Sequence, residues 1–392
     1  MKKSIMSLLL ICLTVFTLVG CSQTSSVSTP PASSTPAVNT PSTTDPGNDT
    51  PTTRTVTDFA GNVVEIPQPE DIKRVIITSS PVPSTLFDVM KGSDSLVGAS
   101  ASTFTWGNEK VLDLIVPNWR NINTTFITGN AINVEEVMAL DPDLIIVYGA
   151  DQSSSLYGAS KNIASGVLPF PVIDLFEQNR DNEQTTLNRD RIMREIFGVE
   201  GDDGLAEEWE KANARVEQSL AEATGSEQIR ALMIMNNTGT QITVRGIGTY
   251  GDSWILKSGM VNVANVSGDG IEVSLEQIYQ WNPEIIILQG GKSEKEYLDN
   301  TIDGQDWSQI DAFKNGRIYY APKGISNWAA PNADSPMMAR WMVMKAYPDT
   351  YPEDEFLSEL IEYYQRRYNV KITEELALEI IWPNGSDTSN AH

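Results

Sequence analysis

Apolar residues along this chain follow two rhythms that alternate. Short, almost wholly apolar runs occur at 73–78, 96–100, 144–148, 171–175, 230–235, 285–288 and 317–320. They are too short for helices, and runs apolar on both faces predict strands covered on both sides. A further strand, 241–245, follows the turn 236–240. In other stretches apolar residues recur every three or four positions, which predicts helices at 85–90, 156–164, 185–197, 205–224, 252–258, 334–346 and 354–368. In 205–224 the apolar face is Leu205, Trp209, Ala212, Val216 and Leu220. Gly92, Gly225 and Gly259 follow three of these stretches, where a glycine ends a helix. At 55–66 the period is two on either side of Ala60-Gly61-Asn62, the pattern of a β-hairpin. Strands alternating with helices predict an α/β fold with mainly parallel sheets.

One motif occurs twice. Residues 133–147 recur as 274–288, with Glu135 matching Glu276, Pro142 matching Pro283, and Ile145-Ile146 matching Ile286-Ile287. Each copy reads as a cap, a short helix, a proline-marked turn and a buried strand. Two copies on either side of the helical sequence 185–224 predict two similar lobes joined by a long helix, with a cleft between them. The expected boundaries are 54–182 for the N-terminal lobe, 183–225 for the linking helices, and 226–392 for the C-terminal lobe. The last eight or so residues, about two turns' worth of polar sequence, are expected to be disordered.

The two ends of the leader change the picture of where the chain works. Lys2 and Lys3 precede an apolar stretch, 5–16, too short for an ordinary spanning helix. Leu18-Val19-Gly20 then stands before Cys21, so 1–20 reads as a lipoprotein signal peptide and Cys21 as the lipidated residue, a membrane anchor without a spanning segment. Residues 21–53 are dominated by Ser, Thr and Pro and read as a disordered tether. The expected location is extracytoplasmic and lipid-anchored, on the outer face of a Gram-positive membrane or the periplasmic side of a Gram-negative one. The only other cysteine, Cys12, lies in the leader, so the mature body has no thiol for a disulfide or metal. A net charge of −24 argues against nucleic acid and against direct adhesion to anionic head groups.

Beyond these features, the body resembles the extracytoplasmic substrate-binding proteins of ABC importers for iron–siderophore, haem and cobalamin. The residues that carry the resemblance span the body in order: the hairpin with 72–76, Asn133-Val134-Glu135-Glu136 with 142–146, and 259–264. They continue through Ser274-Leu275-Glu276-Gln277 with Asn282-Pro283, then 312–319, Trp341 and Tyr347-Pro348. The resemblance implies two Rossmann-like lobes bridged by one long helix, with limited closure on ligand. It also implies that Glu135 and Glu276 are exposed, one per lobe, and pair with arginines of a permease dimer that works with an ATPase. Without the resemblance, these glutamates are ordinary first-turn acids that complement the helix dipole. Glu136 is adjacent, but its match is Gln277. A likely solution state is not encoded in any motif; a monomer is the expectation.

Ligands of two-lobed α/β proteins lie at the carboxyl ends of the strands. That rule selects Ser79, Ser80, Trp106 and Tyr148 on lobe one, and Arg245, Tyr250, Gln289, Lys323 and Trp328 on lobe two. The aromatics suit stacking on a large planar ligand, and Arg245 and Lys323 suit a carboxylate or catecholate oxygen. Trp209, Trp281 and Trp341, on predicted helices, read as core. The glycines of 246–251 lack the lysine and hydroxyl of a P-loop and read as a tight turn before a helix, with room for a minor anion contact. The single histidine is the terminal His392, which turns the reading away from bare zinc or manganese and toward a preassembled complex; no resident metal or cofactor is expected. The ranking is an iron–siderophore chelate, then cobalamin or another corrinoid, then haem or molybdate. No nucleophile–base pair is visible, so an enzyme is not expected. Alternatives of a different class are an exported enzyme and a sensory or adhesion module on the same fold.

Overall fold

The computed structural model describes residues 52–128, 131–148, 168–201, 204–223 and 228–383. Cys21, the leader, most of the tether, the helix expected at 156–164 and the last nine residues lie outside them. The described residues belong to one compact unit that begins at Pro51.

The apolar runs become two sheets. In lobe one, Leu96–Ala99, Val75–Ile77, Leu144–Val147 and Val172–Asp174 lie side by side in that order, all parallel. The predicted hairpin precedes them as Thr53–Thr57 and Val63–Pro67, with Asp58 Oδ1 accepting from Asn62 N at 2.8 Å in the turn. In lobe two the order is Asp269–Val273, Ile242–Arg245, Arg230–Asn237, Ile285–Leu288, Ile318–Tyr320. The strands from Arg230–Asn237 to Ile318–Tyr320 are parallel, whereas Ile242–Arg245 pairs antiparallel on both sides. Asp269–Val273 has no counterpart among the expected strands, because a half-polar edge strand lacks the wholly apolar signature.

Why the central runs are apolar throughout is visible in the packing. Side chains alternate between the faces of a strand. Ile285 and Ile287 join one core cluster while Ile286 and Leu288 join another. Val75 and Ile77 likewise face the large core, and Ile76 faces a small one with Ile145 and Val147. The large core is continuous from lobe one through the linking helices to the C-terminal helices Ser335–Ala346, Glu353–Tyr368 and Glu374–Ile381.

The link is two helices rather than one continuous rod: Asn182–Phe197 and Leu205–Glu222. Gly198 ends the first at φ 63°, and a Cβ there would lie 2.8 Å from Pro69, so only glycine fits. The first helix packs on Val82–Met90 of lobe one, and its Asn182 Nδ2 donates to Tyr250 O of lobe two at 3.0 Å, which makes it the bridge. On the second, Trp209 is buried and stacks on Trp254, with ring centroids 6.2 Å apart. Trp341 is fully buried, and Trp281 packs at the edge of the lobe-two core. The chain's end returns to lobe one: Arg367 pairs with Asp88, both buried, and Lys91 Nζ donates to Arg367 O at 2.8 Å.

The sequence repeat is also a backbone repeat. Val134–Leu140 and Leu275–Trp281 are seven-residue helices capped by the Asn133 and Ser274 side chains. Both stop at a left-handed residue, Asp141 (φ 43°, ψ 62°) and Asn282 (φ 42°, ψ 65°). Both then run through proline into a fully buried four-residue strand. An arginine closes each helix from outside the repeat. Arg74 Nε donates to Leu140 O at 2.9 Å, and Arg230 Nε donates to Asn282 O at 3.1 Å. Their backbone N–H groups are accepted by Asp143 and Glu284, the matching acids of the two copies, at 2.8 and 3.0 Å.

Candidate functional site

The carboxyl ends of the two central strands face each other through tyrosines. Tyr148 follows the strand Leu144–Val147 of lobe one, and Tyr250 opens the helix Tyr250–Lys257 of lobe two. Their hydroxyls are 3.2 Å apart, and both rings are buried. Thr185 Oγ1 of the bridging helix lies 3.3 Å from the Tyr250 hydroxyl. Two guanidinium groups flank the pair. Arg180 Nη1 donates to the Tyr148 hydroxyl at 3.0 Å and lies over the rings of Tyr250 and Phe176, 5.1 and 4.9 Å from their centroids. Arg189, buried, lies 5.4 Å from the Tyr148 centroid. It donates through Nη1 to Pro331 O at 2.9 Å, while its buried Nε has no hydrogen-bond partner among the described residues. Burial pushes the Tyr148 phenol well above its ordinary value; the neighbouring Arg189 and Arg180 pull the other way and do not win. The chemistry on offer is hydroxyl and guanidinium donors in a water-poor setting, suited to an anionic ligand.

The other expected residues sort into three groups. Arg245 and Gln289 are brought together: Arg245 Nε and Nη2 donate to Gln289 Oε1 at 2.9 and 2.7 Å, and Nη1 pairs with Asp269 at 2.5 Å. Arg245 is therefore already neutralised by a carboxylate. Lys323 is half-buried over the Tyr320 ring, 5.3 Å from its centroid, with no carboxylate at ion-pair distance among the described residues. Burial lowers its pKa, so an approaching anion is favoured there. Its loop meets lobe one directly, Asn108 N donating to Gly324 O at 2.8 Å. On lobe one, Trp106 is exposed, Ser79 is half-buried, and Ser80 Oγ lies 2.5 Å from Ser102 Oγ.

Trp328 belongs to the third group, as a correction. It is fully buried, and its Nε1 donates to Asp334 Oδ2 at 2.9 Å, so its faces are not available to a ligand. Asp334 also accepts from Tyr364 and Tyr368 hydroxyls at 2.9 and 2.7 Å and from Ile325 N at 3.1 Å. This hub holds a polar-looking loop inside the protein. The minor anion contact at 246–251 is also corrected: the Gly248 N–H is taken by Asp252 Oδ2 at 2.9 Å.

At the opposite, amino-terminal edges of the sheets, Glu135 and Glu276 sit in the first turns of their helices and are exposed. Glu136 is not equivalent: it accepts from Thr125 Oγ1 at 2.8 Å and Asn133 Nδ2 at 3.0 Å.

With this geometry in view, the comparisons with known proteins are decisive for the family. A family model described as periplasmic binding protein matches residues 76–324, more than half of the chain. The chain belongs to the periplasmic binding protein family. A solved relative, a periplasmic solute binding protein from Veillonella parvula, shares 26% identity at a TM-score of 0.68, covering 84% of this chain and 97% of that one. Molybdate-binding protein MolA of Haemophilus influenzae is 24% identical over 61% of this chain and 70% of its own. A putative ABC transporter substrate-binding lipoprotein of Bacillus subtilis, YhfQ, is 24% identical over 50% of this chain and 62% of its own. This periplasmic binding protein is thus the solute-binding component of an ABC transporter, extracytoplasmic, with a permease for a partner and no enzymatic turnover.

Sequence reasoning missed Arg180, Arg189 and Phe176. Arg180 and Phe176 lie in the segment after the strand Val172–Asp174, a carboxyl-end loop that the strand rule itself covers. Arg189 left one signal, a cation at a position of the bridging helix that the apolar pattern assigns to the interior.

Proposed function

We propose that this binding protein captures an anionic metal complex between its lobes and delivers it to an ABC permease dimer. The observation that carries the reading is the pair of guanidinium groups, Arg180 and Arg189, beside the Tyr148–Tyr250 hydroxyl contact. The first ligand class is a ferric chelate of the siderophore type, whose carboxylate or catecholate oxygens accept from arginine and tyrosine. Trp106 and Phe176 add stacking surface at the rim. A second class, a tetrahedral oxyanion, is favoured by the 3.2 Å separation of the hydroxyls, since a small anion can accept from both while a chelate must part them. MolA, by its name a molybdate-binding protein, supports this class. Delivery rests on Glu135 and Glu276 meeting the permease, with Cys21 anchoring the chain by lipid through its Ser/Thr/Pro-rich tether.

The test is a thermal-shift and calorimetric screen of ferric catecholate and hydroxamate chelates, molybdate, haem and cobalamin. The bound class stabilises the protein by about 2.7 kcal/mol at a hundredfold excess over its Kd. Arg180→Ala weakens it. Binding of uncharged ligand alone, indifferent to Arg180→Ala, would sink the anion reading. For docking, Glu135→Lys with Glu276→Lys abolishes uptake and leaves ligand affinity intact; unchanged uptake refutes the assignment.

A further inference from the structure

The two docking helices do not present the same surface. Beside Glu276, lobe two has an open concavity of about 630 Å³. The β-turn 238–241 and the edge strand Asp269–Val273 form its walls, and the first turn of the Leu275–Trp281 helix closes it. Its lining combines two carboxylates, Glu272 and Glu276, with the apolar Ile242, Val273 and Leu275, and contains no Lys or Arg. Gln241 Nε2 donates to Glu272 Oε2 at 2.8 Å and fixes that carboxylate on the wall. The walls belong to the antiparallel strands of lobe two; the described sheet of lobe one is wholly parallel and has no such strands. Lobe one instead exposes Val134 and Met138 on either side of Glu135, 40% and 46% accessible, as an apolar ridge.

We infer that lobe two carries a receptacle for one long basic side chain of the permease, and that lobe one makes a flat, apolar contact. The inference rests on the docking reading above and adds the partner's chemistry. An arginine or lysine matches the lining: its methylene stem covers Ile242, Val273 and Leu275, and its charged head reaches Glu272 and Glu276. An acidic or purely apolar group would leave two carboxylates facing like charge or desolvated without a partner. The docking contact is therefore polar and inserted on one side and apolar on the other.

The experiment uses the full chain with the permease and ATPase it serves, reconstituted in liposomes, and reads stimulation of ATP hydrolysis against binding-protein concentration. Thr240→Trp fills the concavity from an exposed turn position and leaves both glutamates in place. It should raise the half-saturating concentration about tenfold without changing ligand affinity. Glu272→Gln should raise it severalfold and steepen nothing else. Met138→Ser should also weaken docking, but without the salt dependence that marks the lobe-two contact. Parental behaviour of Thr240→Trp and Glu272→Gln, with Glu276→Lys still inactive, overturns the receptacle and leaves docking standing. Parental behaviour of Glu135→Lys and Glu276→Lys overturns docking itself.

Discussion

In lobe one the strand that leaves the docking helix ends at Tyr148; in lobe two the equivalent strand ends at Gln289. Behind these ends the lobes match down to backbone angles, at Asp141 and Asn282. Ahead of them they part. Lobe one contributes a tyrosine flanked by arginines, and lobe two contributes an amide that accepts from Arg245, already paired with Asp269. Sameness is thus concentrated where a two-fold partner would be met, and difference where a ligand would be met. A duplicated architecture keeps its repeat at one edge of the sheet and diversifies the other.

Three measurements can break or sharpen this comparison. The largest effect concerns the seam that joins the lobes. Asp88→Ala leaves the buried Arg367 guanidinium without this carboxylate and should destabilise the protein by about 3–5 kcal/mol in urea unfolding. A change below 1 kcal/mol, roughly that of an exposed pair, would mean that the seam is not a shared core.

The second measurement reads the same seam by pH. Burial holds the Tyr364 and Tyr368 phenols well above the ordinary value of 10.0. Their contribution is fully present below pH 10 and is lost as pH rises above it, because the unfolded chain releases phenolic protons that the folded chain keeps. Each contributes a slope of about 1.4 kcal/mol per pH unit in that window. Tyr364→Phe should remove one such slope from the alkaline limb of the stability profile. An unchanged limb would place these phenols in contact with solvent.

The smallest effect tests the repeat itself. Asp141 and Asn282 share a left-handed conformation, but only Asn282 is tied to Asp311, through Nδ2 to Asp311 Oδ2 at 2.7 Å and Oδ1 from Asp311 N at 3.0 Å. Asn282→Gly should cost about 1–2 kcal/mol for the lost hydrogen bonds. Asp141→Gly should change stability by less than about 0.5 kcal/mol, since relief of the left-handed strain offsets glycine's entropy. Equal effects in thermal unfolding would show that the side chains, like the backbones, are equivalent.

Much of the fold was legible because burial on both faces writes itself into sequence. Runs such as 285–288 admit no polar residue when each face meets its own core. The edge strand Asp269–Val273 was not legible, since one side of it has no strand to pair and its residues are half-exposed. At the site, Tyr148 and Tyr250 were found because each marks a strand or helix end. Arg180 and Arg189 were not, because their meeting with Tyr148 depends on how the bridging helix lies across the lobes. Trp328 misled for the converse reason. Its neighbours are polar, yet a single carboxylate, Asp334, carries the loop inward.

The arginine clips at Arg74 and Arg230 have a mechanical consequence. Arg74 grips the docking helix of lobe one and also begins the strand that runs through Ile77 toward Ser79 and Ser80; Arg230 does the same at the start of Arg230–Asn237. Each helix is therefore fastened to the tail of a strand whose tip lies at the cleft. A tug on Glu135 or Glu276 is passed along a short, stiff spoke of hydrogen-bonded sheet. Two such spokes, pulled apart at one rim, lever open the other, so seizing the protein and releasing its cargo become a single movement.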